Sequence, residues 1–218
     1  MRAWAIGLYE LWLNGTRVGD HRMAPGWTDY RQRVQYQTFD ITEQLMQGNN
    51  HIGAIVGPGW FSGRAGLFNA RAFYGDSPAL LAQIEITYRD GSTDVITTND
   101  KWKRHDGPML AADIMDGVIY DARQSVDDWC TSPIRHDDHA WINVTGRDEQ
   151  RQLRAQSDQP VRALIELPAK RSVSRVPAGS STRMRATPTM FCWRSKIQRP
   201  GAGSEIVFAG SSMSARTG

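Results

Sequence analysis

The sequence predicts an all-β protein, an antiparallel β-sandwich of the jelly-roll type. Short runs of alternating apolar and polar residues recur between turn signals, which is typical of strands in a half-buried sheet. The first 145 residues contain no run with the 3.6-residue apolar period of an amphipathic helix. Regularly spaced strands without intervening helices favour two packed antiparallel sheets over an α/β fold.

The first predicted hairpin lies in the run GLYELWLNGTRVGD, which alternates over residues 8–13. It then reaches Asn14-Gly15, a dipeptide that favours a two-residue hairpin turn. A second strand is predicted for VQYQTFDIT, with Phe39 and Ile41 on the same face because side chains alternate along a strand. We expect this face to enter the core.

The second strand belongs to an aromatic stretch, APGWTDYRQRVQYQTFDIT. Trp27 follows a turn predicted at Pro25-Gly26, where the chain re-enters the sheet. We expect Trp27 and Phe39 to be buried, each contributing about 1.5–3 kcal/mol to stability. The alternative is that these aromatic residues form a face on which a sugar stacks.

Further elements follow in chain order. EQLMQGNN predicts one helical turn, and NHIGAIVG predicts a short apolar strand. PALLAQIEITYRDG predicts a strand that ends in an Asp90-Gly91 turn, and STDVITT predicts its hairpin partner. Residues 57–76 are rich in Gly and aromatic residues and are too long for a tight turn. Because long loops on a rigid sandwich commonly carry function, this loop is a candidate binding segment.

The composition changes near residue 148, which predicts two parts, residues 1–147 and 148–218. Residues 1–150 contain 14 Lys and Arg against 20 Asp and Glu, whereas residues 151–218 contain 12 against 3. We expect the second part to be a truncated or disrupted start of another β domain with a basic tail. In it, QPVRALIELP predicts a strand and MFCWRSKIQRPGAGSEIVF a hairpin. The alternative, a tail that binds nucleic acid, is disfavoured because its basic residues are interleaved with Ser and Ala rather than with aromatic residues that stack on bases.

Several protein classes find no support in the sequence. No run of 18 apolar residues exists, so no membrane span is predicted. Glu10 interrupts the N-terminal apolar stretch, which lacks the features of a signal peptide, so a cytoplasmic location is predicted. The predicted strand near the first residue suggests a fragment of a longer protein. Two cysteines and five histidines fit no zinc spacing, and no P-loop or nucleophile-elbow motif occurs.

Several motifs occur in a fixed order: LNGTRVGD, PGWTDY, YQTFDIT, GPGWFSGR and YDAR. With them, residues 6–144 resemble the N-terminal accessory domain of bacterial α-L-rhamnosidases. The resemblance implies a galactose-binding-like jelly roll and a catalytic (α/α)6 barrel in a separate downstream region that this chain lacks. It also implies a non-catalytic domain that supports the barrel and binds rhamnose-containing glycans. No catalytic residue and no activity are expected for the chain alone.

Calcium is a candidate cofactor on the same resemblance, since Asp and Asn oxygens can hold a calcium ion against sugar hydroxyls. Aromatic faces, carboxylates, amides and Arg are the groups that bind sugars. A jelly roll could bring such groups from residues 57–76 and 113–123 to one rim. The candidate carbohydrate-binding residues are Trp60, Arg64, Asn69, Tyr74, Asp76, Asp116, Tyr120 and Arg123.

Structural roles stay open for several of these residues. Asp121 and Arg123 could form a buried ion pair that fastens a strand end, and Trp60 could be a core residue. Val118 stands where the resembling family usually has an acidic residue, which would weaken a sugar site there. The alternative function is a stand-alone, calcium-assisted, lectin-like module.

Overall fold

The computed structural model describes residues 1–65, 70–133, 140–168 and, for the backbone, 189–197. Strands dominate these residues. Helix is limited here to the four-residue α1 (Gly59–Ser62) and to single 3-10 turns at Thr42–Gln44 and Ala122–Gln124. The predicted all-β class is therefore confirmed. No helix in these ranges is long and apolar enough to cross a membrane.

Five strands form the first sheet, in the spatial order β14 (Gln152–Ala155), β4 (Arg33–Thr38), β1 (Arg2–Ile6), β8 (Ala79–Thr87) and β9 (Thr93–Thr97). The pairings are antiparallel except for β14 with β4, which is parallel. The predicted hairpin between β8 and β9 is present, and Gly91 adopts φ +80° in its turn. Only glycine adopts such an angle at little cost.

Six strands form the second sheet, in the order β13 (Ile142–Asn143), β10 (Lys103–His105), β15 (Thr189–Ile197), β5 (Gly48–Gly57), β2 (Leu8–Leu13) and β3 (Thr16–Arg17). The predicted turn between β2 and β3 is confirmed, with φ of 52° at Asn14 and 78° at Gly15. These angles belong to the turn type that Asn-Gly favours in hairpins.

Two short ribbons stand apart from the large sheets: β6 (Arg64–Ala65) with β7 (Ala70–Arg71), and β11 (Met109–Asp113) with β12 (Gly117–Tyr120). Both are antiparallel. The first ribbon belongs to the 57–76 loop, and the second contains most of the 113–123 segment. Their positions therefore decide where the candidate binding residues lie.

The main core lies between the two large sheets. It contains Ala3 and Ala5 of β1 together with Leu11 of β2, and it includes Phe39 and Ile41 as predicted. A second cluster contains Trp4, Ile6, Tyr30, Val34 and Phe61. Because neighbouring residues of a strand point to opposite faces, Trp4 and Ile6 place this second cluster on the outer face of the first sheet. The 57–76 loop covers that face through Phe61.

Cys130 belongs to the interior as well. Its Sγ donates to the carbonyl oxygens of His51 at 3.4 Å and Trp12 at 3.5 Å. Burial raises the pKa of its thiol to about 11, so the thiol stays protonated and unreactive at neutral pH.

The expectation that Trp27 is buried is wrong, because its side chain is 61% exposed. The turn before it directs the ring to the surface, and Tyr30, three residues later, fills the core instead.

Residues 159–167 form no strand, against expectation, and Val161 makes one isolated bridge to Arg22. The division at residue 147 stays a prediction, although β14 and this bridge join later residues to the first part. In the predicted C-terminal hairpin, residues 189–197 are a strand, and the rest lies outside the described residues.

Candidate functional site

The loop that follows β5 reaches the outer face of the first sheet through a sharp bend. Gly59 adopts φ +51°, and a Cβ atom there would lie 2.6 Å from Cγ of Leu8, so only glycine fits. The bend places Phe61 in full burial, with ring centroids 5.5 Å from Tyr30 and 6.4 Å from Tyr74. The loop is therefore anchored by aromatic packing before it forms its ribbon.

Both predicted segments do meet, at a group of four charged residues that we call the Arg–Asp cluster: Arg64, Arg71, Asp113 and Asp116. The Nε of Arg64 lies 2.8 Å from Asp116 Oδ2, and Arg71 contacts Asp116 at 3.0 Å and Asp113 at 3.5 Å. The backbone N–H of Arg64 donates to Asp113 Oδ2 at 2.9 Å. Each carboxylate is thus occupied by arginine, so the cluster joins the two ribbons rather than presenting free oxygens.

Asp113 is the centre of this cluster, and we expect its replacement to destabilise the fold. Its side chain is almost fully buried and accepts from the N–H groups of Arg64 and Met115, each at 2.9 Å. Asp113→Ala leaves buried donors unsatisfied, which should lower the free energy of unfolding by about 1.5–3 kcal/mol. Urea denaturation measures this loss. Asp106→Ala is the control, because it removes only an exposed ion pair with Arg104 and should lower the free energy of unfolding by less than about 1 kcal/mol. Equal losses of unfolding free energy in the two variants would contradict the central role of Asp113.

Tyr120 and Arg123 lie at the exposed end of β12, away from the cluster. The Tyr120 hydroxyl is 3.1 Å from Ser125 Oγ. Arg123 donates to both carboxylate oxygens of Asp121, at 2.8 and 2.7 Å, but its side chain is 89% exposed. The interpretation of a buried ion pair is therefore wrong. The guanidinium and backbone N–H of Arg123 lower the pKa of Asp121 to about 2.

The remaining candidates are dispersed. Tyr74 is half-buried against Tyr30, at a centroid distance of 5.2 Å, and has a packing role. Asp76 is exposed on the loop that follows. Asn69 lies outside the described residues. The seven candidates that the structure describes therefore do not converge on one pocket, and the joint role of all eight in sugar binding stays a prediction.

Trp60 does not belong to the Arg–Asp cluster and lines a half-open cleft of about 190 Å³, which we call the tryptophan cleft. Its other aromatic wall is the exposed Trp27. The remaining lining residues are mostly polar: His21, Arg22, Met23, Ala24, Gly26, Gln35, Gln156, Asp158, Gln159, Pro160 and Val161. Trp60 also packs on the second core cluster, so it is both a core residue and a cleft wall.

Residues 1–164 match the protein family described as the α-L-rhamnosidase N-terminal domain. The chain belongs to this family. The α-L-rhamnosidase of Streptomyces avermitilis is 49% identical over 171 residues, which are 78% of this chain and 16% of that protein. An α-L-rhamnosidase of Formosa agariphila is 38% identical over 141 residues, which are 64% of this chain and 15% of that protein.

Solved structures of the family have the same fold. The crystal structure of the Streptomyces avermitilis enzyme complexed with L-rhamnose gives a TM-score of 0.71 at 48% identity, over 78% of this chain and 16% of that one. The native α-L-rhamnosidase from Aspergillus terreus gives 0.70 at 39% identity, over 74% of this chain and 19% of that one. The chain therefore spans less than one fifth of these relatives.

Within this N-terminal domain, a buried hydrogen-bond network holds the tryptophan cleft. Gln37 is buried between the sheets, where its Oε1 accepts from the Tyr9 hydroxyl. Its Nε2 lies 3.3 Å from the Pro25 carbonyl oxygen and donates to Gln156 Oε1 at 2.9 Å. Gln37 thus joins the turn before Trp27 to Gln156, another residue that lines the cleft. This role is not visible in the sequence because Gln37 and Gln156 are 119 residues apart.

The Trp27 side of the cleft has its own support. The buried Tyr30 donates its hydroxyl to the Gly26 carbonyl oxygen at 2.9 Å, and the Gly26 N–H donates to Met23 at 3.0 Å. Burial raises the pKa of Tyr30, which therefore stays a neutral donor across the physiological range. The domain thus holds an exposed indole on a fixed turn.

The charge of the cleft wall is set partly by His21. Burial lowers the pKa of this imidazole below its ordinary value of 6.5, although Asp20 acts in the opposite direction. His21 is therefore neutral at pH 7.

No group of three or more His, Cys, Asp and Glu side chains suited to a metal occurs among the residues that the structure describes. The cleft of the domain thus offers aromatic faces and neutral amides, with Asp158 and Arg22 at its wall.

Proposed function

We propose that this chain is the non-catalytic N-terminal domain of an α-L-rhamnosidase-type glycoside hydrolase. In this proposal, the domain supports the catalytic part of the enzyme and binds a rhamnose-containing glycan at the tryptophan cleft. The observation that carries the glycan part is an exposed indole, Trp27, which is held on a fixed turn and lines the same cleft as Trp60. The Trp27 ring belongs to neither large core cluster, so its face is available to a ligand in the cleft.

The chemistry of the cleft fits a sugar. Indole rings pack against the C–H faces of a sugar ring, and amides exchange hydrogen bonds with its hydroxyl groups. Gln35, Gln156 and Gln159 supply amides, and Asp158 supplies a carboxylate acceptor. The volume of about 190 Å³ is below the roughly 300–1,000 Å³ of pockets for drug-sized ligands, which favours one terminal monosaccharide unit over a longer chain.

The rhamnose specificity rests on the family. The relative from Streptomyces avermitilis is an α-L-rhamnosidase whose structure was solved with L-rhamnose. L-Rhamnose carries a methyl group in place of a hydroxymethyl group, so an apolar wall discriminates in its favour. Met23 and Val161, both exposed and both in the cleft lining, supply such a wall.

A non-catalytic role is supported by what surrounds the carboxylates. Inverting glycosidases place two carboxyl groups about 6.5–9.5 Å apart around a water molecule. Asp113 and Asp116, the acidic residues at the joined ribbons, are instead ion-paired with Arg64 and Arg71. The relatives extend far beyond the length that this chain matches, so we assign hydrolysis to the portion of the enzyme outside the match.

Isothermal titration calorimetry of the full chain tests this function. We expect L-rhamnose to bind saturably with 1:1 stoichiometry, and D-glucose at the same concentrations to produce only heat of dilution. Parallel titrations with calcium and with a chelator decide whether calcium assists. Equal heats for the two sugars, both with calcium and with the chelator, would contradict glycan recognition. The proposed function would then be reduced to support of the catalytic part of the enzyme.

A further inference from the structure

Residues 163–167, which we call the apolar run, protrude from the domain. Leu164, Ile165 and Leu167 are 87%, 79% and 83% exposed, more than any other large apolar side chain in the described part of the chain. Glu166, the charged residue between them, has no ion-pair partner among the described residues. Exposed apolar side chains next to each other usually mark an interaction surface.

The backbone of the run is also unpaired. The carbonyl oxygen of Val161 accepts from the N–H of Arg22 at 2.7 Å, and Arg162 Nε lies 2.6 Å from Asp20 Oδ2. Beyond these anchors, none of the backbone hydrogen bonds found in the described ranges involves residues 163–167. The run therefore starts at a fixed bridge and has unpaired backbone groups, so it can accept a strand when it adopts an extended conformation.

The geometry of an extended chain decides which edge is free. The N–H and C=O groups of alternate residues point to the same edge, so Val161, Ala163 and Ile165 share the edge that faces Arg22. Arg162, Leu164 and Glu166 point their backbone groups to the opposite edge. That edge carries no partner in the described structure, and Leu164 lies at its centre.

The sequence VRALIEL is chemically symmetric about Leu164. In an antiparallel pairing of two copies centred on Leu164, Arg162, which also contacts Asp20 of its own copy, lies opposite Glu166 of the other copy, so unlike charges are neighbours. Ala163 then lies opposite Ile165, and Val161 opposite Leu167, so every apolar residue faces an apolar residue. The hydrogen-bonded positions of this register are those of the free edge.

We propose that two copies of this chain associate through residues 161–167, as an antiparallel strand pair centred on Leu164. The occupant of the free edge is a second copy because the run complements itself in charge, in apolar character and in backbone register. The contact is short, so the dimer forms and dissociates with protein concentration. It is independent of the tryptophan cleft proposal, apart from Val161, which belongs to both.

Sedimentation equilibrium of the full chain tests the pairing. The wild-type chain should show a concentration-dependent equilibrium between 24.5 kDa and twice that mass. Leu164→Pro removes the N–H that donates to the Leu164 carbonyl oxygen of the other copy, so both central hydrogen bonds are lost. We expect this variant to weaken association by about tenfold or more. Its monomer should remain folded, since Leu164 is 87% exposed.

Ala163→Pro is the matched control. It introduces the same ring one residue earlier, where the N–H points to the other edge and no hydrogen bond between copies is lost. This variant should retain most of the association, and Glu166→Lys should weaken it by placing Lys opposite Arg162. A chain that is monomeric at all concentrations would overturn the proposal, and so would equal losses in the two proline variants or association that survives Leu164→Pro.

Discussion

Replacing Trp27 with alanine is expected to weaken L-rhamnose binding by roughly 30-fold or more while leaving the fold intact. The ring is 61% exposed and belongs to neither large core cluster, so its removal creates no cavity. Truncation of a central aromatic anchor in a binding site costs about 2 kcal/mol or more, which is roughly 30-fold in the dissociation constant. Calorimetric titration of the variant measures the loss, and urea denaturation verifies that its stability is unchanged within about 0.5 kcal/mol.

Phe73→Ala is the control for this variant. Phe73 is also a half-exposed aromatic residue, under the guanidinium of Arg31 at 4.5 Å, but it does not line the cleft. The Phe73→Ala variant should bind L-rhamnose with the affinity of the wild type. If Trp27→Ala retained full affinity while Phe73→Ala lost it, the sugar site would lie on the 57–76 loop rather than in the tryptophan cleft.

Replacing Phe61 with alanine is expected to cause the largest loss of stability, about 3–5 kcal/mol. Phe61 is fully buried, packs edge-to-face on Tyr30, and lies under the guanidinium groups of Arg147 at 5.7 Å and Arg151 at 5.4 Å. Its loss leaves a cavity where the loop, the first sheet and residues 147–151 meet. Such a loss is a large share of the total stability of a domain of this size.

Equilibrium unfolding in urea measures this effect, with Phe73→Ala again as the exposed aromatic control at less than about 1 kcal/mol. Phe61→Ala should also weaken sugar binding, because Tyr30 holds the turn before Trp27 and packs on Phe61. A Phe61→Ala variant as stable as the wild type would show that the 57–76 loop is not anchored as described.

The elements that were correctly predicted from sequence depend on local physics. Asn14-Gly15 and Asp90-Gly91 form the predicted turns because few other residues accept a positive φ. The alternation of side chains along β4 and the residues after it correctly predicts that Phe39 and Ile41 lie in the core, since one face of this segment must be buried. The order of motifs predicted the family, which the match over residues 1–164 confirms.

The errors concern positions that depend on distant contacts. Trp27 was expected in the core because of its apolar ring, but Tyr30 occupies that space and the turn directs Trp27 outward. Arg71 was not singled out, although it closes the Arg–Asp cluster from a strand that pairs with β6. Part of the cleft lining comes from residues 156–161, which the sequence predicts to belong to a second part of the chain. Only long-range packing brings these groups together.

The most direct test of glycan recognition at the tryptophan cleft is an NMR titration of the full chain with L-rhamnose, following the indole N–H signals. Trp27→Phe and Trp60→Phe assign the two cleft signals, and the buried Trp102 serves as an internal reference. We expect saturable shifts of the Trp27 and Trp60 signals while the Trp102 signal stays in place. Shifts confined to other residues, or no shift of either cleft signal at saturating sugar, would contradict this expectation.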